Sequence, residues 1–367
     1  MNDLSALEEA VLRCDLVIFT GGLGPTNDDI TKKTFAGFFE SKMIVNNDVL
    51  RNIESFFVSR GLPLTRLNEE QAEVPDNCEV LFNYHGTAPG MLFRYDGTYV
   101  VSFPGVPFEM KPLFLNELKP ILEQEFKLPY RLYRTFQLAG IPESMMAEQL
   151  TDYESELPDY ASLAYLPRPG ILRLRLGVCF DKKEDAEVKL EQLSVKILPY
   201  IKNYCFSEDE KSLEEVVGDL LNEKGYTLST AESCTGGTIA QKITSISGSS
   251  AYFKGSIVAY SNDIKSGVLE VPEDILIEHG AVSKQVVEKM SQNVRKVFKT
   301  DCSIASSGIA GPTGGSKEKP VGTVWISVST PEKTIAKVFK FGEHRGRNIE
   351  RASLAALDML RKALIEK

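Results

Sequence analysis

Apolar runs that end in turns of glycine and other small residues recur along this chain of 367 residues. After the runs at residues 15–20 and 226–230 a helical pattern follows, so that strand, tight turn and helix come in that order. This order is typical of α/β proteins whose sheets contain parallel or mixed strands. We therefore predict an α/β fold. The clearest runs lie at residues 15–20, 226–230 and 302–307.

The composition is that of a globular protein, with 43% hydrophobic and 25% charged residues, enough for more than one core. No stretch approaches the roughly 18 apolar residues of a membrane span, and no signal peptide is visible, so we expect a cytoplasmic protein without a membrane partner. The net charge of −9 and the lack of a basic run argue against a nucleic-acid partner. Six scattered cysteines and three histidines leave few ways to build a metal site.

Changes in pattern divide the chain into three predicted domains, at residues 1–128, 129–206 and 207–367. The first alternates helical and strand patterns, as an α/β sheet domain does. The second contains the strictly alternating run Ile171-Leu-Arg-Leu-Arg-Leu-Gly177, which indicates a half-buried strand in a small α+β linker domain. The third, again α/β, begins with an amphipathic helix closed by Gly225.

The turn after the first strand of the third domain carries a candidate nucleophile. It reads Thr230-Ala-Glu-Ser-Cys-Thr-Gly-Gly237 and opens a helix, so we expect Ser233 among free backbone N–H groups at the positive end of a helix dipole. Such a position suits a nucleophile, an oxyanion or a phosphate. It equally suits a serine that only caps the helix, and Glu232 has the same alternative as a capping carboxylate. Cys234 is a competing nucleophile without a histidine partner.

A candidate base follows in the segment Val258-Ala-Tyr-Ser-Asn-Asp-Ile-Lys265, where a strand passes into a helix. No histidine lies in these motifs, so a serine–histidine–aspartate arrangement has little support. A pair of Ser233 and Lys265 is the simplest remaining arrangement, provided that burial or a nearby cation lowers the pKa of the lysine. The ordinary alternative is a solvated helix lysine.

A third cluster offers ligands for a phosphate or a carboxylate. The loop Ser306-Ser-Gly-Ile-Ala-Gly-Pro-Thr-Gly-Gly315 lets backbone N–H groups approach an anion closely. Arg345, Arg347 and Arg351 lie at the start of the last helix, where an arginine can pair with such a group. A glycine-rich loop alone is a weak signal, and each arginine is equally compatible with a plain surface charge.

Three loops of the first domain have a similar character. The segment Thr20-Gly-Gly-Leu-Gly-Pro-Thr-Asn-Asp-Asp29 follows a strand and leads into a helix predicted to begin at Asp28 or Asp29, so an anion could meet helix N–H groups there. The two aspartates are candidate ligands for a cation that bridges to a diphosphate, or simply caps of a tight turn. The other loops are Asn83-Tyr-His-Gly-Thr-Ala-Pro-Gly90 and Phe103-Pro-Gly-Val-Pro107.

The three C-terminal clusters together closely resemble the C-terminal domain of the CinA family, which also occurs alone as nicotinamide-mononucleotide deamidase. The resemblance implies hydrolysis of the nicotinamide-mononucleotide carboxamide to nicotinate mononucleotide and ammonia, without a cofactor. Ser233 would be the nucleophile, Lys265 its base, and Arg347 or Arg351 an assisting residue, with the oxyanion held by N–H groups of residues 234–237. The implied substrate-binding residues are Glu232, Cys234, Thr235, Gly236, Gly237, Tyr260, Ser261, Asn262, Gly308, Ala310, Gly311, Thr313, Gly314 and Gly315.

Residues 10–126 resemble the molybdopterin-binding fold of the MoaB/MogA type in its CinA version. The resemblance implies a three-layer domain with metal-dependent ADP-ribose pyrophosphatase activity, in which Asp28 and Asp29 hold a divalent metal. Relatives begin with a further strand, so we expect this domain to be truncated, with an exposed sheet edge that favours association. The family also implies a homodimer. The implied nucleotide site is Gly21, Gly22, Gly24, Pro25, Thr26, Asp28, Asp29, Asn83, Gly86, Thr87, Pro89, Gly90, Pro104 and Gly105.

Two alternatives to deamidation remain open at this point. Pyrophosphatase activity of the first domain could be the main function, supported by Asp28, Asp29 and the glycine loops. A chain that only binds a pterin or a nucleotide, tied to competence as the family name suggests, would show tight binding without turnover.

Overall fold

The computed structural model describes residues 3–26 and 28–365, and the chain divides into two compact units, Met1–Leu128 and Pro129–Lys367. Helices and strands are mixed in both units, which confirms the predicted α/β class. The division of the second unit near residue 206 stays a prediction. None of the helices in the described part of the chain is both long and apolar enough to cross a membrane.

The first unit is built on a mixed four-stranded sheet, with a two-stranded sheet beside it. Its elements are α1 (Asp3–Val11), β1 (Leu16–Thr20), α2 (Thr31–Phe38), β2 (Met43–Val45), α3 (Asn47–Val58), α4 (Arg66–Glu70), β3 (Glu73–Pro75), β4 (Glu79–Leu81), β5 (Gly90–Tyr95), β6 (Thr98–Phe103), α5 (Pro107–Leu113) and α6 (Lys119–Glu125). The larger sheet has the order β1-β6-β5-β4, with β1 parallel to β6 and β5 antiparallel to both of its neighbours. The smaller one pairs β2 with β3.

The register of the larger sheet brings the three predicted loops together. Thr20 is opposite Phe103 and Leu81 is opposite Gly90, so β1, β4 and β6 end, and β5 begins, at one edge. The strands predicted at 78–82 and 98–103 are confirmed as β4 and β6. The helix predicted from Asp28 or Asp29 is wrong in its start, because α2 begins at Thr31.

The second unit opens with an antiparallel sheet, here called the linker sheet, of order β10-β7-β9-β8. Leu172, Leu174 and Leu176 of its alternating central strand are buried against helical residues, which confirms the predicted half-buried strand. The elements of this part are β7 (Tyr130–Ala139), α7 (Glu143–Gln149), α8 (Thr151–Ser155), β8 (Ala161–Arg168), β9 (Ile171–Phe180), α9 (Lys183–Ile201) and β10 (Cys205–Ser207).

The rest of the second unit is a five-stranded sheet with helices on both faces. Its elements are α10 (Leu213–Lys224), β11 (Leu228–Glu232), α11 (Thr238–Thr244), β12 (Phe253–Val258), α12 (Asn262–Gly267), α13 (Glu273–His279), α14 (Lys284–Phe298), β13 (Cys302–Gly308), β14 (Thr323–Ser329), β15 (Thr334–Lys340) and α15 (Arg345–Ile365). The order is β12-β11-β13-β14-β15. The first three strands are parallel to one another, β14 is antiparallel to β13, and β15 is antiparallel to β14. Gly225 ends α10 at a φ of 65°, as predicted for a helix-closing glycine.

Candidate active site

Three parallel strands end together at one edge of the five-stranded sheet, and the three C-terminal motifs follow these ends. Glu232, the last residue of β11, is opposite both Val258 of β12 and Ser306 of β13. The residues that follow the three strand ends are therefore neighbours in space. Ligands of α/β sheets commonly bind outside the carboxyl ends of parallel strands.

Ser233 and Lys265 meet at this edge. The Nζ atom of Lys265 lies 3.1 Å from Ser233 Oγ, within hydrogen-bond reach. The same amine donates to the backbone oxygen of Ala259 at 2.8 Å, which fixes its direction. Lys265 sits in the short helix α12, whose first turn is capped by the hydroxyl of Ser261, so its side chain turns back toward the strand end. The chain thus holds the two groups 32 residues apart in sequence in direct contact.

Lys265 is buried without a compensating negative charge. It is only 2% exposed, and among the described residues no carboxylate lies within ion-pair distance of its amine. Burial lowers the pKa of Lys265 from its ordinary value, because the charged ammonium loses its hydration. The solvated helix lysine considered from the sequence is therefore wrong. A lysine that is easily deprotonated beside a serine hydroxyl can act as a general base.

Glu232 is a helix-capping carboxylate, and its assignment to substrate binding is corrected. It is fully buried and accepts hydrogen bonds from four donors, namely Thr235 Oγ1 at 2.7 Å, Gly237 N at 3.0 Å, Ile239 N at 3.0 Å and Ala240 N at 2.8 Å. The hydroxyl of Thr230 is a fifth and more distant donor, at 3.5 Å. The three N–H groups are the free donors at the start of α11. The positive end of this helix is therefore neutralised by the chain itself.

The turn that follows Ser233 offers fewer free donors than the sequence predicted. Gly236 N donates to Ser233 O at 3.1 Å, and Gly237 N is taken by Glu232 at 3.0 Å. Both are removed from the predicted oxyanion hole. The N–H groups of Cys234 and Thr235 are the candidates that remain within 234–237.

Cys234 is a poor competitor for the role of nucleophile. Its side chain is 7% exposed, and burial raises the pKa of its thiol to about 12. The positive charges of Lys265 and Arg345 act in the opposite direction but do not offset the burial. Because the thiolate is the reactive form of cysteine, Cys234 is held in its unreactive form at neutral pH.

Arg345 is the arginine that reaches the motif loops. Its guanidinium donates to the backbone oxygen of Gly311 at 2.9 Å and to the hydroxyl of Tyr260 at 3.0 Å, and so joins the glycine-rich loop to the β12–α12 turn. The side chains of Arg347 and Arg351 form no hydrogen bond or ion pair within the described residues. Arg345 is thus the arginine that contacts both loops, whereas the assisting role of Arg347 or Arg351 stays a prediction.

The first turn of α15 also holds the glycine-rich loop by a second residue. Asn348 follows Arg345 by three residues and therefore lies on the same side of the helix, where it is buried. Its amide donates to Ala310 O at 3.0 Å and to Gly342 O at 2.7 Å. The sequence analysis missed Asn348, although its spacing from Arg345 was a usable signal. The exposed members of the predicted site at this edge are Gly236, Tyr260, Ser261, Asn262, Thr313, Gly314 and Gly315, whereas Thr235, Ala310 and Gly311 are buried and Gly237 and Gly308 are partly buried.

In the first unit, the two loop aspartates are occupied by their own turn. The single hydroxyl proton of Thr26 is shared between Asp28 Oδ1 at 2.5 Å and Asp29 Oδ2 at 2.6 Å, and Asp29 also accepts from Thr26 N at 3.0 Å. These bonds lower the pKa of Asp29. Across residues 3–26 and 28–365 no group of three or more His, Cys, Asp or Glu side chains is placed to hold a metal ion. The role of Asp28 and Asp29 as ligands of a divalent metal therefore stays a prediction.

In the first unit, the loop of residues 83–90 contacts Glu109, a residue that the sequence analysis did not single out. The buried amide of Asn83 donates to Ala88 O at 2.9 Å and to Glu109 Oε2 at 2.7 Å. Gly86 lies against the same Glu109 carboxylate, which would have to move to admit a Cβ atom. Pro89, Gly90 and Pro104 are buried, while Thr87 is partly buried and Gly105 is exposed. Gly21, Gly22, Gly24 and Pro25 line the neighbouring loop at the same sheet edge.

Comparison with known proteins agrees with this organisation. A family described as the CinA C-terminal domain matches residues 210–364, a probable molybdopterin binding domain matches residues 2–124, and the damage-inducible protein CinA KH domain matches residues 133–207. A CinA-like protein of Cytophaga hutchinsonii is 44% identical over 99% of this chain and 87% of that protein. A putative competence-damage inducible protein of Caldicellulosiruptor bescii is 41% identical over 98% of this chain and 87% of that protein.

A solved structure is also similar in part. The competence/damage inducible protein CihA from Agrobacterium tumefaciens is 36% identical and matches 42% of this chain and 94% of that chain, with a TM-score of 0.41.

Proposed function

The chain belongs to the CinA family, and from that premise and its buried serine–lysine contact we propose that it hydrolyses the carboxamide of nicotinamide mononucleotide. The products are nicotinate mononucleotide and ammonia. The observation that carries the proposal is the 3.1 Å contact between Lys265 Nζ and Ser233 Oγ, made by a lysine that is 2% exposed and has no acidic partner among the described residues. Such a lysine supplies the base that a serine nucleophile needs.

The first half of the reaction forms an acyl-enzyme. Neutral Lys265 takes the proton of the Ser233 hydroxyl while the serine oxygen attacks the carboxamide carbon. The carbonyl oxygen then carries the negative charge, and the N–H groups of Cys234 and Thr235 are our candidates to receive it, a contribution of about 3 to 4 kcal/mol for each effective donor. Protonated Lys265 donates its proton to the amide nitrogen, which leaves as ammonia, and a nicotinoyl ester of Ser233 remains.

The second half hydrolyses this ester. Lys265, neutral again, accepts a proton from a water molecule that attacks the ester carbon. The tetrahedral intermediate collapses, Ser233 regains its proton from Lys265, and the product leaves as the carboxylic acid, which gives its proton to water to become the carboxylate. The bond from Lys265 to Ala259 O keeps the amine directed at the serine in both halves. This chemistry uses only groups of the chain and water.

We assign the phosphate of the substrate to the side of the site that carries Arg345. Arg345 is an exposed guanidinium held by Gly311 O and Tyr260 Oη, at the mouth of the glycine-rich loop. Exchange of one of these neutral acceptors for a phosphate oxygen would strengthen the hydrogen bond, because charge-assisted bonds are the stronger ones. Exposed Gly314 and Gly315 leave room for such an approach.

The proposal does not extend to diphosphate hydrolysis in the first unit. Asp28 and Asp29, on which that alternative depended, both accept from the Thr26 hydroxyl at 2.5 and 2.6 Å and thereby cap a turn. The name of one relative, putative competence-damage inducible protein, states no reaction, so the reaction is argued from the site itself.

The test is an assay of the purified full-length chain with nicotinamide mononucleotide, in which ammonia and nicotinate mononucleotide are both measured. We expect turnover by the parent and a fall of at least about 1000-fold in Ser233→Ala, because the nucleophile is lost. Ser229→Ala is the matched control, since Ser229 is a buried serine of β11, the strand that precedes Ser233, and its hydroxyl bonds only Thr300 Oγ1 and Val294 O. A folded parent without turnover would overturn the proposal, and an active Ser233→Ala variant would overturn the nucleophile.

A further inference from the structure

The last helix, α15, is in contact with the linker sheet as well as with the candidate active site. At its first turn, Arg345 and Asn348 hold the glycine-rich loop by hydrogen bonds to two of its carbonyl oxygens. Further along, the tight turn between β8 and β9 lies against the same helix at Arg351 and Leu354. The helix therefore connects two parts of the second unit that the sequence predicts as separate domains.

The β8–β9 turn is closed by a glycine that faces α15. Arg168 and Ile171 are opposite each other at the ends of the two strands, so only two residues make the turn, the second of them Gly170. Gly170 has a φ of 85°, in the left-handed region that glycine adopts without strain. A Cβ atom at this position would lie 3.0 Å from Leu354 Cδ1 and 3.6 Å from Arg351 Cα. The turn thus approaches the helix more closely than a residue with a side chain would allow without a shift.

Further contacts extend this junction on both sides of the turn. Ile171, the first residue of β9, and Phe206 of β10 pack against the buried cluster to which Leu354 belongs. In the turn after β7, a Cβ atom at Gly140 would lie 3.7 Å from the Asp358 carboxylate, which is ordinary contact. Packed interiors are hardly compressible and transmit strain. A displacement at this junction is therefore passed on to α15 instead of being absorbed.

The helix is short and stiff between the junction and the site. Arg351 follows Asn348 by three residues and neighbours it on the helix surface. At about 1.5 Å per residue, Arg345 is about 9 Å along the axis from Arg351. Residues 347–365 include neither proline nor glycine, which are common causes of a kink. Movement of α15 at the β8–β9 turn should therefore also move its first turn.

We propose that the β8–β9 turn is a positioning element of the proposed deamidase site, with Gly170 as the positioning residue. Contact with the turn fixes where α15 lies along and around its axis. This sets the place of the Arg345 guanidinium, to which we assign the substrate phosphate. A misplacement of about 1 Å in a group that holds a substrate can change the rate by orders of magnitude. The inference rests on the proposed function for its substrate, but the junction itself can be measured without turnover.

The groups that make and break bonds are held by the sheet. Ser233 N donates to Ser306 O at 3.0 Å, and Lys265 donates to Ala259 O at 2.8 Å, both next to the ends of parallel strands. Displacement of α15 therefore weakens the binding of the phosphate while the contact between Ser233 and Lys265 stays. This predicts a higher KM for nicotinamide mononucleotide with an unchanged kcat, a split that a general loss of structure would not produce.

The experiment compares substitutions at two glycines, each in a two-residue turn of the full-length chain. Gly97 closes the β5–β6 turn with a φ of 82°, but no atom of the described residues lies within 4 Å of a Cβ atom placed there. Gly170→Ala and Gly97→Ala therefore carry a similar backbone strain, and only the first presses on α15. We expect KM to rise about threefold in Gly170→Ala, and in Gly170→Leu to approach the roughly tenfold of a lost charged contact. The alanine and leucine variants of Gly97 should keep the KM of the parent.

A second substitution separates pressure on α15 from a local defect of the turn. Leu354→Ala removes the Cδ1 atom that the new Cβ atom would touch. Gly170→Ala should therefore raise KM in the parent background but not in the Leu354→Ala background, because residues in contact are not additive. An equal rise in both backgrounds would contradict contact between the turn and the helix as the cause.

Hydrogen exchange measured by mass spectrometry reports the junction without substrate. In the Gly170 variants the amides of residues 308–316 and 342–350 should exchange faster than in the parent, whereas those of β11 should not. Unchanged exchange in the loop, or equal KM values for the Gly170 and Gly97 variants, would overturn the inference. A folded parent without turnover, in which the Gly170 variants still speed exchange, would overturn the deamidase proposal and leave the junction supported.

Discussion

Replacement of Glu232 by glutamine tests how the chain builds the turn that carries Ser233. The variant keeps the size of the side chain but exchanges one acceptor oxygen for an amide that donates. In the better of its two orientations the amide faces Ala240 N, 2.8 Å from the present oxygen, and three donors keep their acceptor. One charge-assisted bond of about 1.5 to 3 kcal/mol is then lost and one buried N–H is left unsatisfied. Loss of the charge at the start of α11 adds about 0.5 to 2 kcal/mol.

We therefore expect Glu232→Gln to lower the free energy of unfolding by about 3 to 5 kcal/mol. The chain contains a single tryptophan, Trp325, which lies on β14 of the same sheet, so tryptophan fluorescence in urea reports this part of the second unit alone. At a typical slope of about 2 kcal/mol per molar urea, the midpoint should fall by about 2 M. Glu215→Gln is the control, because Glu215 caps α10 at a partly exposed position and should cost about 1 kcal/mol or less. A loss below about 1 kcal/mol for Glu232→Gln would refute the reasoning.

Two further predictions concern the charged residues of the site. Burial keeps the pKa of Lys265 below its ordinary 10.5, so between these two pKa values the unfolded chain binds a proton that the native chain does not, and parent stability should rise with pH there. Lys265→Met should therefore abolish turnover yet be more stable than the parent at pH 7. Its advantage in the free energy of unfolding, measured in urea, should shrink as the pH rises toward 10.5. An advantage that does not change with pH would contradict the idea that the buried Lys265 charge is uncompensated. Arg345→Gln should raise KM for nicotinamide mononucleotide about tenfold or more, as loss of one charged contact implies, whereas Arg347→Gln should not, and equal effects would contradict our assignment.

The sequence allowed the sheet edge to be predicted because strand ends are encoded locally. The runs before Ser233 and Gly308 are short and mix apolar with small polar residues, and the small residues that follow mark where each strand stops. Parallel pairing of β11 with β12 and β13 then brings these ends together without any further information. The pairing of Ser233 with Lys265 was predicted on other grounds, namely the absence of a histidine from these motifs and the resemblance to the CinA family.

The roles of Arg345 and Glu232 could not be read in the same way. The sequence around the three arginines does not show which of them contacts the glycine-rich loop, some 34 residues away in sequence. The answer depends on where α15 begins and on which side of the helix, marked by the buried Asn348, faces that loop. The capping function of Glu232 depended on the true start of α11 at Thr238, which places three N–H groups around the carboxylate. Helix starts are set by such tertiary hydrogen bonds, and α2, which begins at Thr31 rather than at Asp28 or Asp29, is a second example.

The two buried charges next to the turn show which of them is structural and which is available for chemistry. Glu232 is fully buried, but five donors surround it, so its charge is satisfied and nothing remains to bind a ligand. Lys265 is 2% exposed and meets only the carbonyl of Ala259 and the hydroxyl of Ser233. A fold that placed Lys265 there for stability alone would supply a carboxylate, since an unpaired buried cation is costly. The chain instead bears this cost at the one position where a neutral amine is useful, beside a serine at a sheet edge.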